Sequence, residues 1–505
     1  MALHRIDPTL DEPGIDTPSW KPAPPYRDVL VATIRQRSWD GLPFARLLEE
    51  RSVVAGINVD LAAKTLALAP DELVTEGLDG LRERSARSVL ALLRRALPAG
   101  SGLELALAGD PPRDPPARAR VVVAGPDALA RLLWPPSESA LGEAYLRGDI
   151  DIEGDVWAAI EAGSSFDLRR LGWDLPRLLR CGLRLRAGVT PAPGLRRTAH
   201  LSGRLHSRAR DLAAVRFHYD VGNEFYALWL DRRLVYSCAY FETPETTLDE
   251  AQEAKLDLIC RKLRLRPGMR LLDIGCGWGS LVIFAAERYG VDATGITLSA
   301  PQAQRATAEI RRLGLAGGAR ALVSDYRDLA QLGQFDAIAS VGMFEHVGRE
   351  RLREYFRAAL KALRPGGLFL NHGIATTATS TGLRPRWTRY GDGGFIGRYV
   401  FPDGELVTVE DAVEFARRAG FELHDVESLR PHYALTLKAW VEQLEASADR
   451  AREIAGEEIY RTWRIYMAAA RRGFDDGSLD VAQLLLARPE PDGPAPLPLR
   501  PWWHR

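Results

Sequence analysis

The sequence lacks several features that would assign it to a broad class at once. Its 505 residues contain no run of about 18 apolar residues, so the sequence predicts no transmembrane helix. Residues 1–20 carry proline and aspartate where a signal peptide has an apolar core, so we expect no export. Lysine plus arginine and aspartate plus glutamate both total 67, and this balance argues against a nucleic-acid-binding protein.

Cysteine is also scarce, and no C-x-x-C spacing occurs among Cys181, Cys238, Cys260 and Cys276. With no export signal, we expect reduced thiols in the cytoplasm rather than disulfides, and no metal site. Cys238 stands among aromatic residues in VYSCAYF, where it could be a nucleophile, a metal ligand or part of a pocket wall. The rest of the chain has to distinguish these alternatives.

The character of the sequence changes along the chain, and we predict six regions from these changes. They are a flexible N-terminus at 1–25, a helical extension at 26–100, a small α+β domain at 101–165, a basic amphipathic segment and linker at 166–210, a catalytic domain at 211–490 and a C-terminal tail at 491–505.

From about residue 215, buried strands alternate with helices. The stretch GMRLLDIGCGWG reads as a strand that enters a glycine loop, and VDATGITLS, ARALVSDY, FDAIASV and GGLFLNHGI read as later strands. Strands that alternate with crossover helices are typical of a parallel sheet covered on both faces. The sequence therefore predicts an α/β fold with a doubly wound, mostly parallel sheet.

The glycine loop is a candidate cofactor site. Asp273 ends the strand, and Gly275, Gly277 and Gly279 follow in G-x-G-x-G spacing. Dinucleotide enzymes use G-x-G-x-x-G with an acid about twenty residues later. The spacing here, the preceding acid and the missing phosphate-loop lysine favour S-adenosylmethionine (SAM). A structural tight turn or a nucleotide site remains the alternative.

The next two strands add candidates for the same ligand. Thr297 and Gln302 follow the second strand and could donate or accept hydrogen bonds. Asp325 and Tyr326 end the third strand, where an adenine amino group and ring face would lie. Taken singly, an ordinary turn aspartate and a packing tyrosine are the simpler explanation, but their order along the fold favours ligand contact.

Several motifs resemble one known family. They are RFHYDVGNEFYALWLD, YSCAYF, LDIGCGWGSL, GITLS, GMFEHVG and NHGI, and the similarity covers about 200–490. The sequence resembles the cyclopropane-fatty-acyl-phospholipid synthases and mycolic acid cyclopropane synthases. SALGEAYLRGDIDIEGD is similar to the N-terminal lipid-associated domain of the longer bacterial members.

The resemblance implies a class I methyltransferase fold and a reaction. The family transfers a methylene from SAM to the cis double bond of a phospholipid acyl chain, through a carbocation that a bound bicarbonate ion deprotonates. An alkene is a weak nucleophile, so the reacting groups must be held at near-attack distance.

The same resemblance implies the site residues. Those of the bicarbonate pocket are Cys238, Glu345, His372, Ile374 and Tyr433. Cys238 then forms part of a pocket wall. The simpler alternatives are a core histidine, an acid at a helix start and a packing tyrosine. For the cofactor, the resemblance points to Tyr236, Ser237, Gly275, Gly277, Thr297, Leu298 and Gln302.

A basic segment suggests how the enzyme reaches its lipid. Residues 166–210 hold 11 arginines and only two acids, Asp167 and Asp174. As a helix, residues 166–186 would be amphipathic and suited to anionic headgroups. The alternative is a helix that covers the catalytic domain, with its arginines paired to acids. We expect a cytoplasmic homodimer, peripheral to the inner face of the cell membrane.

Three other functions stay open. Relatives of this family lose a different proton and form a 10-methylene chain on oleoyl phospholipid. A non-catalytic lipid-binding or transfer protein with a vestigial SAM site is less favoured, because Glu345, His372 and Tyr433 are all present. A methyltransferase for small polar acceptors is disfavoured by the basic amphipathic segment.

Overall fold

The computed structural model describes residues 70–133, 138–186, 189–377 and 394–503. The predicted flexible N-terminus at 1–25 and most of the predicted extension at 26–100 lie outside these residues. The described end of that extension is one helix, Pro70–Ala96. The six domain boundaries stay predictions.

Helices and strands alternate through the described chain. In chain order, the α-helices α1 to α16 are Pro70–Ala96, Pro126–Leu133, Glu138–Arg147, Val156–Ser164, Leu175–Arg186, Arg208–Tyr219, Asn223–Tyr226, Leu248–Lys262, Ser280–Tyr289, Ala300–Arg312, Leu352–Ala362, Phe395–Tyr399, Val409–Ala419, Arg430–Ala446, Ala448–Ala455 and Glu457–Asp475. The strands β1 to β10 are Leu103–Leu107, Ala119–Val123, Ile150–Gly154, Arg270–Ile274, Asp292–Thr297, Ala319–Val323, Phe335–Val341, Leu363–Thr376, Glu422–Ser428 and Leu479–Ala487. Four 3₁₀ segments are Leu168–Asp174, Tyr326–Leu332, Phe344–His346 and Arg349–Arg351.

The central sheet has seven strands in the order β6-β5-β4-β7-β8-β10-β9. The pairs from β6 to β8 are parallel, and β10 runs antiparallel to β8 and β9. This confirms the predicted doubly wound, mostly parallel fold, and the five strands expected from the sequence are the five parallel ones.

Both faces of this sheet are covered by apolar side chains. Leu271 and Leu272 are adjacent in β4 and both fully buried, yet they belong to different apolar clusters. Leu271 packs with Ile259 of α8 and Val282 of α9, whereas Leu272 packs with Phe356 of α11. Successive side chains of a strand point to opposite faces, so a sheet covered on both faces needs nearly continuous apolar strands.

A second sheet has three strands, with β1 parallel to β2 and β2 antiparallel to β3. Helix α4 covers one side of this sheet, where its Ala158 and Ala159 pack on Ala119 of β2. The residues from Leu78 onward cluster into one compact unit. Tyr145 of α3 and Trp463 of α16 belong to one apolar core, so the small sheet region and the helices between β9 and β10 share their buried surface.

The basic segment is not one continuous helix. Gly172 has a φ of +48° and interrupts the 3₁₀ segment Leu168–Asp174, and helix α5 follows that segment. A left-handed residue interrupts helical hydrogen bonding, and glycine adopts that conformation without strain. Helix α5 itself is amphipathic, with Leu178 and Leu185 buried and Arg177 exposed. Among the described helices, none has the length and apolar character needed to cross a membrane.

Candidate functional site

Two adjoining cavities lie at the carboxyl ends of the central strands. The first, about 800 Å³ with its mouth, is lined by Gly275 and Gly277 after β4, by Thr297 at the end of β5 and by Gly342 after β7. Strand β4 lies between β5 and β7, where the strand order reverses. Ligands of doubly wound folds bind at this crevice.

The glycine loop brings backbone close to other elements. Gly275 has a φ of +88°, and a Cβ on it would lie 2.8 Å from Cβ of Met343, which also lines the first cavity. A Cβ on Gly279 would lie 2.9 Å from Cβ of Ala306 in α10. Gly275 therefore keeps the cavity wall open, whereas Gly279 allows close packing of two helices.

Four predicted cofactor residues beyond the glycine loop line the first cavity. Thr297 Oγ1 donates to Gln302 Oε1 at 2.8 Å, which leaves the amide nitrogen of Gln302 on the cavity side. Leu298 lies between them along the chain and also lines the cavity. Tyr326 contributes its ring from the segment after β6. These positions agree with a ligand that needs donors and an aromatic face.

Two predicted cofactor carboxylates do not line this cavity. Asp325 caps the 3₁₀ segment by accepting from Arg327 N at 2.9 Å, and its carboxylate pairs with the Arg327 guanidinium at 2.7 Å. Asp273 is 3% exposed at the end of β4, and burial raises its pKa to about 7. Both carboxylates lie behind the cavity surface. Asp325 supports the segment that carries Tyr326, whereas Asp273 Oδ1 has no partner among the described residues.

The second cavity, about 680 Å³ with its mouth, collects residues from distant parts of the chain. All five residues predicted for a bicarbonate pocket line it, and Tyr236 and Ser237, predicted for the cofactor, line it as well. Tyr219, Gly342 and His346 line both cavities. The two cavities therefore adjoin at these shared residues.

Buried polar atoms without partners border the second cavity. Glu345 Oε1 accepts from Ile374 N at 2.6 Å, while its Oε2 is buried with no partner among the described residues. His372 Nδ1 lies 3.3 Å from Nε2 of Gln483, its cross-strand neighbour, and its Nε2 has no partner in the described chain. The buried hydroxyl oxygen of Tyr236 also has no hydrogen-bond partner among the described residues. Unsatisfied buried polar atoms are costly, so such a group indicates a polar ligand.

Burial determines the protonation states of Glu345 and His372. It raises the pKa of Glu345 to about 7 and holds the pKa of His372 well below its usual range. His372 is therefore a neutral imidazole at pH 7. In the tautomer whose Nδ1 accepts from the amide nitrogen of Gln483, the ring proton is on Nε2, where it can be donated.

Cys238 is a buried thiol in this structure. All four cysteines are free, and the Cys238 thiol donates to Ala239 O at 3.2 Å. Burial raises its pKa, so it is protonated and a poor nucleophile. The described residues hold no cluster of three or more histidine, cysteine, aspartate or glutamate side chains fit for a metal ion. Of the alternatives for Cys238, the pocket wall agrees best with its position.

Sequence reasoning did not single out several residues of the site. Tyr219 and His346 line both cavities. They lie inside the motifs RFHYDVGNEFY and FEH, so the family resemblance of these motifs was the signal that could have identified them. Lys255 of α8 is 1% exposed and donates to Ser237 Oγ at 2.9 Å. Its position in an ordinary helical stretch gave no indication of this contact.

Comparison with known proteins assigns the family. The model of the mycolic acid cyclopropane synthetase family matches residues 206–484. The chain belongs to this family. A probable fatty acid methyltransferase from Pseudomonas putida is 41% identical to this synthase over 384 residues, which are 76% of this chain and 91% of that protein. The cyclopropane-fatty-acyl-phospholipid synthase of Escherichia coli K12 is 33% identical, over 76% of this chain and 90% of that protein.

A solved structure agrees with this assignment. The mycolic acid cyclopropane synthase CmaA1, complexed with SAH and CTAB, is 37% identical and covers 55% of this chain and 98% of its own, with a TM-score of 0.50. This synthase is therefore a SAM-dependent methyltransferase of the cyclopropane synthase type. A model for class-I fructose-bisphosphate aldolase also matches residues 29–89, most of which lie outside the described residues.

The first cavity of the synthase fits SAM. Gly275 and Gly277 leave room for a ligand next to the backbone, since a Cβ at Gly275 would meet Met343. The Gln302 amide and the Tyr326 ring supply a donor and an aromatic face. SAM bound there would supply the transferable methyl group, with the second cavity beyond Tyr219 and His346 as the place for its acceptor.

Proposed function

We propose that this synthase transfers a methylene carbon from SAM to the cis double bond of an unsaturated phospholipid acyl chain and forms a cyclopropane ring. The observation that carries this proposal is the pair of adjoining cavities with Tyr219, Gly342 and His346 in common. A methyl group held in the first cavity can meet an alkene held in the second without crossing solvent. Such pre-orientation lowers the barrier for a weak nucleophile.

The walls of the second cavity support an acyl acceptor. Apolar and aromatic side chains make up much of its lining, namely Ile374, Phe401, Leu406, Tyr466 and Val481. Tyr236 stacks with His218, which also stacks with Phe401, so this wall is held by ring packing. Methyl transfer to an alkene leaves a carbocation on the acyl chain, and aromatic faces stabilise positive charge.

The unpartnered atoms of the second cavity fit a bicarbonate ion. Glu345 Oε2 can accept from the O–H of bicarbonate, while His372 Nε2 and the Tyr236 hydroxyl can donate to its other oxygens. When bound, bicarbonate would supply the base that removes a proton from the new methyl carbon. The protein's part is to hold that base beside the acyl chain and keep water out.

We further propose that the synthase docks on the inner face of the cell membrane as a cytoplasmic homodimer. Four exposed arginines flank a fully exposed tryptophan along the basic segment, and none of the four has an ion-pair partner among the described residues. We name them the docking patch: Arg169, Arg170, Trp173, Arg177 and Arg180. Farther along, Arg208 and Arg210 pair with Asp328 and Asp403, so these two arginines are structural.

Incubation of the purified synthase with SAM, bicarbonate and vesicles of a cis-18:1 phospholipid tests the reaction. A ring and a methylene branch each add one CH₂, so the acyl chains are analysed by proton NMR as well as mass spectrometry. We expect upfield cyclopropyl protons. Vinylidene protons would replace this proposal with 10-methylene branching, and unmodified lipid together with tight SAM binding would show that the acceptor is wrong.

A further inference from the structure

Helix α8 lies beside the central sheet and contains polar side chains that are buried there. Gln252 is 0% exposed, Lys255 1% and Lys262 0%. Lys262 pairs with two carboxylates, Asp425 at 3.1 Å and Glu427 at 2.6 Å. A buried lysine needs such compensation, because transfer of an isolated ammonium from water is very unfavourable.

Lys255 is compensated differently. Among the described residues it has no ion pair, and its hydrogen-bond acceptor is the hydroxyl oxygen of Ser237 at 2.9 Å. Asp231 and Asp273 are both buried and favour its charge from a distance. Burial lowers the pKa of Lys255 to about 8, with those acids and Cys238 opposing the shift.

Gln252 holds the backbone of the same segment. Its Nε2 donates to Ser237 O at 2.9 Å and to Val235 O at 3.3 Å. One helix thus fixes both the backbone and the side chain of Ser237, whose neighbour Cys238 lines the second cavity beside it. Two buried polar side chains, Gln252 and Lys255, contact this one serine, and together they restrict the direction in which its hydroxyl can point.

The Lys255 contact determines what Ser237 can do. An ammonium group has donors only, so Ser237 Oγ accepts, and its own proton must be donated elsewhere. Ser237 is 6% exposed and lines the second cavity with Glu345 and His372. Its hydroxyl has no acceptor among the described residues, which leaves the cavity as the direction for its proton.

We propose that Lys255 is a positioning residue, which turns the Ser237 hydroxyl into a fixed donor for a carboxylate-type oxygen bound at the second cavity. This inference rests on the proposed function, in which two ligands carry such an oxygen. One is bicarbonate in the second cavity. The other is the amino-acid carboxylate of SAM, which would reach Ser237 from the first cavity past Gly342, a residue that lines both cavities. A donor polarised by a cation binds an anionic oxygen more strongly than an ordinary hydroxyl does.

The test compares Lys255→Met, Ser237→Ala and the double variant with the wild type. Two readouts are used, SAH affinity by calorimetry and the bicarbonate concentration that gives half-maximal turnover. We expect each single variant to weaken one of these by roughly tenfold or more, the range of a lost charge-assisted hydrogen bond. The double variant should lose no more than Ser237→Ala alone, because Lys255 acts through Ser237.

The readouts separate the two ligands. A higher SAH dissociation constant with unchanged bicarbonate dependence identifies the SAM carboxylate, and the reverse identifies bicarbonate. Lys262→Met is the matched control, since it removes an equally buried lysine of the same helix that contacts Asp425 and Glu427 instead. It should lower the unfolding temperature and leave both ligand readouts unchanged.

Wild-type affinity for SAH and bicarbonate in folded Lys255→Met would overturn the proposal, and so would independent, additive losses in the double variant. If Lys255→Met does not fold, Ser237→Ala alone tests the proposal. Unchanged binding in that variant would show that the Ser237 hydroxyl is not the donor, which overturns the proposal. A wild-type enzyme that forms no product refutes the proposed function instead. The SAH titration involves no turnover and still tests Lys255.

Discussion

At the residue scale, the two carboxylate oxygens of Glu345 have different surroundings at the second cavity. One carboxylate oxygen is held by Ile374 N, and the other is buried without a partner. Burial raises its pKa to about 7, so it changes charge near neutral pH. In the proposed reaction the ionised group would accept the O–H of bicarbonate, whereas the protonated group presents a donor in the same place.

A pH profile follows from this geometry. We expect kcat/KM to fall about tenfold for each pH unit below about 7, as Glu345 takes up a proton. Glu345→Gln should lose this acid limb and retain at most about 1% of the activity, the range for one lost acid–base partner. The measurement is initial rate against pH with lipid vesicles. An unaltered acid limb in Glu345→Gln would assign the titration to another group.

The stability of Glu345→Gln provides the control. The carboxyl has a higher pKa in the folded protein than its ordinary value of 4.5, so the folded state favours the proton. Its contribution to stability is therefore present below about pH 4.5 and is lost as the pH rises through 7. Glu345→Gln should unfold at a temperature equal to or above that of the wild type at pH 8. Its lost activity is then not a loss of folding.

Gly275 offers a second test at this scale. Gly275→Ala would place a Cβ 2.8 Å from Met343 at the first cavity, so we expect SAH affinity to drop at least tenfold. Gly314→Ala is the matched control, because Gly314 has a similar φ of +72° and open space around it. Both variants carry backbone strain, and only the first narrows the cavity. Equal SAH affinity in the two variants, measured by calorimetry, would contradict this role.

At the element scale, α5 and the preceding 3₁₀ segment present the docking patch. Arg169, Arg170, Arg177 and Arg180 are exposed, and Trp173 is 100% exposed. Each basic residue near an anionic bilayer contributes about 1 kcal/mol, and tryptophan favours the membrane interface. The buried side of α5, with Leu178 and Leu185, keeps the patch on the protein surface.

Vesicle sedimentation tests the patch. Arg177→Ala with Arg180→Ala should weaken binding to anionic vesicles about tenfold or more, and Trp173→Ala should weaken it further. Higher salt should lower wild-type binding and affect the double variant less. Arg208→Ala with Arg312→Ala removes as much charge from arginines paired to Asp328 and Glu309, so it serves as the control. Equal losses in both double variants would mean that net charge alone matters.

Helix α16 connects the small sheet to the helices around the site. Arg464 is 6% exposed, donates to the Tyr145 hydroxyl at 2.8 Å and pairs with Glu445 at 2.7 Å. Arg464→Ala should lower the free energy of unfolding by about 3 kcal/mol, because it leaves the buried Tyr145 hydroxyl and the partly buried Glu445 carboxylate without their common partner. Arg450→Ala, which breaks only the exposed pair with Glu453, should change it by less than about 1 kcal/mol. Urea unfolding measures both, and similar values would refute the connection.

At the scale of the whole molecule, the proposed homodimer is open to direct measurement. One chain has a mass of 55.8 kDa, so we expect sedimentation velocity to give a species of about twice that mass at micromolar concentration. A single species at the monomer mass over the whole concentration range would refute the dimer. The measurement needs no substrate, so its outcome is independent of the proposed reaction.

Across the whole molecule, the sequence predicted the fold more completely than the site. Strands β4 to β8 were visible because residues such as Leu271 and Leu272 are buried on both faces and appear as apolar runs. The break at Gly172 was not predicted, since a glycine in a helical pattern is compatible with either a helix or a turn. Strand β9 is half exposed, and its alternation was too weak to be distinguished from a loop.

By itself, the sequence determined the parallel α/β sheet and the glycine loop, which rest on local patterns and on the spacing of the glycines. The resemblance of its motifs to a known family implied the residues from Cys238 to Tyr433 that line the second cavity. Only the tertiary structure decided that Asp273 lies behind the cavity surface, that His372 meets Gln483 and that Lys255 supports Ser237. Side-chain partners from separate elements make these contacts, and no spacing along the chain specifies which of them will meet.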